Sequence, residues 1–130
     1  MLGLDVGARR IGLARASYAA RLASPFGTIE NNAETLDRLQ TICKGENVRQ
    51  LVIGLPRGLD GQDTAQTLTV KAFGAMLGKA LDLPIHWQDE ALTSVQAQSE
   101  LEARGKAYAK GDIDSLAAVY ILEDYLREHL

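Results

Sequence analysis

Residues 2–16 of the chain read LGLDVGARRIGLARA, and their pattern indicates how the sheet of this protein begins. Apolar residues alternate over 2–6 as in a buried strand, and the glycine-containing turn at 7–9 leads into a second strand at 10–16. Asp5 nevertheless puts a carboxylate inside the first strand, where an unpaired charge costs several kcal/mol or more. The sequence therefore predicts a β-hairpin that holds an aspartate for a specific reason.

After this hairpin a third strand is predicted, followed by helices and strands in alternation and by two helices at the end. The apolar run LVIGLP at 51–56 is typical of a strand buried on both faces, and Asn32 is a suitable N-cap for the helix that precedes it. Because the helices can cover both faces of one sheet, we predict a single three-layer α/β domain over residues 1–130. The predicted strands are 2–6, 10–16, 21–29, 51–56 and 85–88, and the predicted helices are about 33–44, 62–82, 93–104 and 113–128.

Helical spacing of apolar residues indicates which face of each helix is buried. In the second helix Leu68, Ala72, Met76 and Ala80 recur at i, i+4 spacing, which predicts a core-facing stripe. Cys43 is predicted to fill a gap in the core. The last helix is predicted to bury Leu116, Val119, Leu122 and Leu126.

Composition narrows the classes of protein. The chain has 130 residues, a formal net charge of −3 and a single cysteine, and its pI is about 5.3. A lone cysteine fits a reducing compartment, and no segment reaches the roughly 18 apolar residues that cross a membrane. We therefore expect a soluble, cytoplasmic protein with no membrane partner. The acidic pI, taken alone, argues mildly against nucleic acid as the partner.

Acidic residues stand where strands and helices end. Asp5 lies near the end of the first strand, Glu90 follows the fifth strand, and Asp114 opens the last helix. Ligands of α/β domains bind outside the carboxyl ends of parallel strands, so these three carboxylates could converge at one edge. Such a cluster repels itself unless cations fill it, and Mg²⁺ or Mn²⁺ prefers oxygen ligands.

Each acid also has a purely structural interpretation. Asp5 could pair with an arginine or close an Asx turn onto Gly7. Glu90 could be a solvated loop residue. Asp112 and Asp114 could be a helix cap and a first-turn charge that the helix dipole favours. Spacing alone does not choose between these alternatives and a metal site.

Five motifs in this order resemble the YqgF/RuvX family of RNase H-like Holliday-junction resolvases. They are LGLDVGARRIGLA, PFGTI, LVIGLPRGLDG, DEALTS and KGDIDSLAAVYIL, and they extend from residue 2 to about 125. The resemblance implies an RNase H-like α/β/α domain with a five-stranded mixed sheet. Bacterial members are also assigned to processing of the 5′ end of precursor 16S rRNA, so branched DNA and precursor rRNA are both candidate substrates.

The family's metal-dependent nuclease site maps onto Asp5, Glu90 and Asp114. These residues would be the catalytic groups and the ligands of a two-metal Mg²⁺ or Mn²⁺ site, with Asp5 as the bridge. Two divalent cations carry more positive charge than the three carboxylates carry negative charge, so the loaded site would be locally positive. The acidic pI then no longer argues against nucleic acid as the partner. The chain departs from the family at Ala91, where an arginine is usual, and at Arg9, where a lysine is commoner.

Basic residues near the expected site are candidate contacts for phosphate groups. These candidates are Arg9, Arg10 and Arg15 in the first hairpin, and Arg104, Lys106 and Lys110 in the segment RGKAYAKGD. The alternative for the segment RGKAYAKGD is an ordinary solvated loop.

The sequence also bears on two other classes of function. A P-loop is excluded, because the segment from Gly74 to Lys79 lacks the required spacing and hydroxyl residue. A non-catalytic nucleic-acid-binding module with the same fold remains an alternative to the nuclease. A resolvase that makes paired nicks would most simply be a two-fold homodimer.

Overall fold

The structure is a computed structural model, and it describes residues 1–58, 60–90, 99–105 and 110–129. Its strands and helices follow one another in the predicted order. Within these ranges no helix is both long and apolar enough to span a bilayer. The strands are β1 (Leu2–Val6), β2 (Arg10–Ala16), β3 (Ala23–Glu30), β4 (Leu51–Pro56) and β5 (Ile85–Glu90), and the helices are α1 (Thr35–Gly45), α2 (Ala65–Leu81), α3 (99–103) and α4 (Lys110–His129).

The five strands form one mixed sheet with the order β3-β2-β1-β4-β5. β1, β2 and β3 form an antiparallel meander, whereas β4 pairs parallel to β1 and β5 pairs parallel to β4. In this register Asp5 faces Gly12, and Glu90 faces Pro56 at the end of the β4–β5 pair. The predicted five-stranded α/β fold is therefore confirmed.

Helices cover both faces of the sheet. On one face α1 and α2 pack through residues such as Leu39, Val70 and Leu77, and Cys43 is buried there as predicted. On the other face α4 packs through Ala118, Ile121 and Leu122 among others. The approach of α4 is close, because a Cβ on Gly3 of β1 would lie 2.5 Å from the Leu122 Cγ.

The predicted buried stripe of α2 is wrong. Leu68 is 59% exposed and Met76 is 44% exposed, and the helix instead buries Thr67, Val70, Gly74 and Leu77. Apolar residues occupy nearly the whole circumference of α2, so their spacing did not distinguish the face that contacts the sheet. The close packing of α2 against β5 determines which face is buried, because a Cβ on Gly74 would overlap the Trp87 ring.

The predicted N-cap of α1 also requires correction. The helix begins at Thr35 and its N-cap position is Glu34, which makes no side-chain capping bond. Asn32 instead shapes the preceding turn, where its Oδ1 accepts from the Glu34 amide at 2.8 Å. An asparagine forms such local side-chain-to-backbone hydrogen bonds both in turns and at helix N-caps. Its presence at position 32 therefore located the start of the helix only to within two residues.

Candidate active site

Asp5 lies in the middle of the sheet and is partly buried on the face that α4 covers. Burial and, to a smaller extent, the nearby charge of Asp114 together raise the pKa of Asp5 to about 6. The predicted alternative of an Asx turn is not realised, because the Gly7 amide donates to the Arg10 carbonyl oxygen at 2.9 Å. Asp5 is thus a carboxylate whose surroundings oppose its charge.

Asp114 reaches Asp5 because the start of α4 lies on a glycine. A Cβ on Gly12 would overlap the Asp114 carbonyl group, so no larger residue fits at that position. Gly12 is the cross-strand partner of Asp5, and cross-strand partners are about 5 Å apart between Cα atoms. A hydrogen bond from Thr28 Oγ1 to the Gly111 carbonyl oxygen, 2.8 Å long, fixes the same end of the helix.

Arg10 provides the positive charge at this pair of acids. Its Nε donates to Asp114 Oδ2 at 2.7 Å, and the two side chains are 38% and 18% exposed. The backbone of Arg10 is fixed, because its carbonyl oxygen accepts from Gly7 and it is paired with Glu30 of β3. The guanidinium group is therefore the part of Arg10 that can move.

Glu90 lies at the same end of the sheet but faces a different partner. Burial, followed by a side-chain hydrogen bond with Asp124 of α4, raises its pKa to about 9. Among the described residues its Oε1 is buried without a hydrogen-bond partner. From the strand spacing and register, its Cα lies about 12 Å from that of Asp5. The structure therefore brings Asp5 and Asp114 together but directs Glu90 towards Asp124.

An arginine braces the strand end that carries Glu90. The Arg57 guanidinium, from the loop after β4, contacts Asp89 Oδ1 through Nη2 at 3.0 Å and also forms an ion pair with Asp63. Asp63 in turn lies 3.3 Å from Lys71 Nζ. This network ties the end of β5 to the start of α2.

The donors of Asp5 and Asp114 suit a hard divalent cation. Both side chains offer carboxylate oxygens, and a cation would relieve the repulsion that contributes to the raised pKa of Asp5. Within the described ranges, however, no three histidine, cysteine or acidic side chains lie close enough to hold one ion. The pair fits a metal, and Glu90 as it is oriented here does not complete the site.

The predicted phosphate-binding residues are spread over the molecule. Arg9 is exposed in the turn next to Arg10. Arg15 lies on the opposite face of the sheet and faces Leu2 across the β1–β2 pair, and it forms an ion pair with Glu46. It is therefore not part of the cluster at Asp5.

The second basic group is only partly described. Arg104 bonds to Glu100 one turn earlier at 2.8 Å. Helix α3 ends at residue 103, and Gly105 follows it with a φ of +68°, which agrees with the prediction that this glycine terminates the helix. Lys106, the side chain of Lys110, Ala91 and the capping sequence at Thr93 lie outside the described residues.

Sequence reasoning missed Gly12, Asp124 and Arg57. A glycine inside a strand is a known signal of close backbone approach, so Gly12 could have been found. The odd spacing between Arg10 and Arg15 places them on opposite faces of a strand, which was also readable. Asp124 carried no such signal, because its role depends on how α4 crosses the sheet.

The sheet order, the helices on both faces and the acids at one sheet end define an α/β protein of the RNase H-like class. Two solved structures of Thermus thermophilus RuvC share this fold. The one in complex with a Holliday junction substrate has a TM-score of 0.56 at 14% identity and covers 99% of this chain and 97% of that one. The other has a TM-score of 0.55 at 13% identity. These likenesses concern the fold alone.

The family is shown by sequence. Residues 1–128 match the family described as "RuvX: Holliday junction resolvase", and the chain belongs to this family. A Crocosphaera subtropica protein named "Putative pre-16S rRNA nuclease" is 41% identical over 129 residues, which cover 96% of this chain and 90% of the relative. A relative of the same name from Maridesulfovibrio salexigens is 39% identical over 130 residues, which cover 97% of this chain and 96% of the relative.

Proposed function

We propose that this protein is a divalent-metal-dependent nuclease that hydrolyses phosphodiester bonds in structured nucleic acid. The observation that carries the proposal is the juxtaposition of Asp5 and Asp114 at the end of a buried strand, with Arg10 beside them. A partly buried pair of like charges is costly in a purely structural role, and it is the arrangement that a cation would stabilise.

The residues have distinct roles in this proposal. Asp5 and Asp114 would hold Mg²⁺ or Mn²⁺, with Glu90 as the third acid. The bound metal would activate water and stabilise charge on the phosphate and the leaving oxygen. Arg9 and Arg10, at the rim of the same sheet end, would bind phosphate groups, and the segment with Arg104, Lys106 and Lys110 would extend that contact.

Glu90 must leave Asp124 in order to act with the other two acids. In its present orientation it shares a hydrogen bond with another carboxyl group, which requires a proton between them. Loading of the site would accordingly be linked to loss of that proton and rotation of the side chain.

Two substrates are proposed for this site. One is the four-way DNA junction, after the family's description and the substrate in the RuvC complex. The other is precursor 16S rRNA, after the names of the similar proteins. We also propose a cytoplasmic location and, for symmetrical cleavage of a junction, a two-fold homodimer.

The proposal is tested by offering both substrates to the purified protein with Mg²⁺, with Mn²⁺ and with chelator, and mapping the cut positions. We expect metal-dependent cleavage that Asp5→Asn abolishes. Asp37→Asn, a change of the same kind at an exposed position in α1, is the control and should cleave normally. Cleavage that persists in chelator, or in the Asp5 variant, would contradict the assignment.

One observation favours the alternative of a non-catalytic binding module. Glu90 faces away from the other acids and, within the described chain, no three-ligand group is formed. A binding module would bind the junction or the rRNA in the same assay without cutting it under any metal condition. The binding and cleavage arms together separate these two functions.

A further inference from the structure

The ion pair between Arg10 and Asp114 occupies one of the two carboxylate oxygens that Asp114 could offer to the proposed metal. Arg10 Nε lies 2.7 Å from Asp114 Oδ2, and an arginine keeps its charge at any ordinary pH. A divalent cation at the same carboxylate would repel the guanidinium group. The two cations therefore compete for the negative charge of the Asp114 carboxylate.

The geometry also shows where the guanidinium group could go. The Arg10 backbone is fixed by the Gly7 hydrogen bond and by pairing with β3, so only the side chain can leave. That side chain is already 38% exposed and lies beside the exposed Arg9. Rotation away from Asp114 would put a second fork of donors at the rim of the site, where it could bind a phosphate bidentately.

We propose that Arg10 is a displaceable counterion: it neutralises Asp114 in the metal-free protein and turns to a substrate phosphate when a divalent cation takes its place. This inference rests on the proposed function of the Asp5–Asp114 site. Its consequence is that metal and nucleic acid bind cooperatively, because the metal releases a phosphate-binding group. By linkage, nucleic acid must increase the affinity for metal by the same factor.

The first test is Mn²⁺ binding by calorimetry, with no nucleic acid present. Arg10→Gln should bind Mn²⁺ about threefold to fivefold more tightly than the wild type, which is the factor that a partly exposed ion pair supplies. Arg9→Gln removes the same charge one residue away and should change the Mn²⁺ affinity much less. Arg10→Lys keeps the charge but loses the fork, and its affinity should fall between wild type and Arg10→Gln.

The second test is binding of a four-way junction in Ca²⁺, a cation that also takes oxygen ligands, and separately in chelator. Arg10→Gln should weaken junction binding in Ca²⁺ and leave it nearly unchanged in chelator, where Arg10 is held by Asp114. Arg9→Gln should weaken binding equally in both conditions. An equal loss for Arg10→Gln in both conditions would contradict the proposal.

The outcomes separate this inference from the proposed function. If the wild type binds Mn²⁺ and Arg10→Gln binds it no more tightly, Arg10 is a structural partner of Asp114 and only the inference is overturned. If the wild type binds no Mn²⁺ at all, the metal site and the inference are both wrong. Far-ultraviolet circular dichroism of each variant identifies loss of folding, and Arg10→Lys then carries the comparison.

Discussion

The backbone of Asp114 rests directly on Gly12, which faces Asp5 across the β1–β2 pair. This contact sets the distance between two acids that are more than one hundred residues apart in the chain. A side chain at position 12 would push the start of α4 away from the sheet, and both stability and the site depend on that approach.

Gly12→Ala should therefore destabilise the protein by about 2–3 kcal/mol, the cost of forcing extra atoms into a packed site. It should also reduce cleavage, because it moves Asp114. Gly45→Ala is the matched control, since no atom lies within 4 Å of the added methyl group and alanine favours helix by about 1 kcal/mol. Urea denaturation of the three proteins measures the difference, and equal stability of Gly12→Ala and wild type would refute the contact.

The pKa of Asp5 is raised from its ordinary value of 3.8 to about 6. The effect of Asp5→Asn on stability should therefore depend on pH. The folded state binds this proton more tightly than the unfolded state, so the contribution of Asp5 to the free energy of unfolding falls as pH rises from about 4 to 6. In chelator at pH 7.5, Asp5→Asn should be more stable than wild type by about 2–3 kcal/mol. The difference should vanish near pH 4. A variant that is less stable at both pH values would make Asp5 a structural residue.

Metal should reverse this order. Millimolar Mn²⁺ should raise the melting temperature of the wild type, because a ligand that binds only the folded state stabilises it. Asp5→Asn and Asp114→Asn should gain much less, whereas Asp37→Asn should gain as much as the wild type. Melting curves in chelator and in Mn²⁺ provide the comparison, and a full increment in Asp114→Asn would remove that residue from the site.

Glu90→Gln distinguishes the two roles that this residue could have. The pKa of about 9 leaves Glu90 protonated at pH 7, so the neutral glutamine should preserve both the contact with Asp124 and the stability in chelator. Cleavage should nevertheless fall by about a hundredfold or more if Glu90 becomes a metal ligand. Unchanged cleavage would indicate that Glu90 serves only to attach β5 to α4.

Arg57→Ala should destabilise the end of β5 by about 1–2 kcal/mol, because it breaks a network of two acids around a guanidinium that is only 20% exposed. Arg38→Ala, which loses the exposed pair with Glu34, should cost less than about 0.5 kcal/mol. Denaturant melts of both variants test this. Equal losses would mean that the Arg57 pairs are ordinary surface contacts.

Neutralising Arg104, Lys106 and Lys110 together should weaken nucleic-acid binding for all sequences and flatten its salt dependence by about one unit of slope per lost phosphate contact. Arg15→Gln, at the other end of β2 and on the other face of the sheet, should leave the slope unchanged. Titrations at several salt concentrations measure both. An unchanged slope in the triple variant would make the segment a solvated loop.

Much of the fold was readable from the sequence, because apolar runs bounded by glycine and proline mark strand ends clearly. β1, β2 and β4 were predicted to the residue, and the parallel strands put Asp5 and Glu90 at one end of the sheet as expected. The face of α2 was not readable, since Leu68 and Met76 are as apolar as the residues that are buried. Side-chain partners such as Arg10–Asp114 and Glu90–Asp124 depend on the crossing of α4, which leaves no periodic pattern in the sequence.

One uninterrupted helix, α4, carries both Asp114, which lies at Asp5, and Asp124, which holds Glu90. The two positions are about 15 Å apart along the helix axis. A packed helix moves as one rigid body and not as two independent halves. A small tilt that frees Glu90 at one end must shift Asp114 at the other. Such a tilt would pivot about the contacts of Ile121 with Gly54 and of Leu122 with Gly3. The packing of these two apolar side chains therefore sets how far the acids at the two ends of α4 can move together.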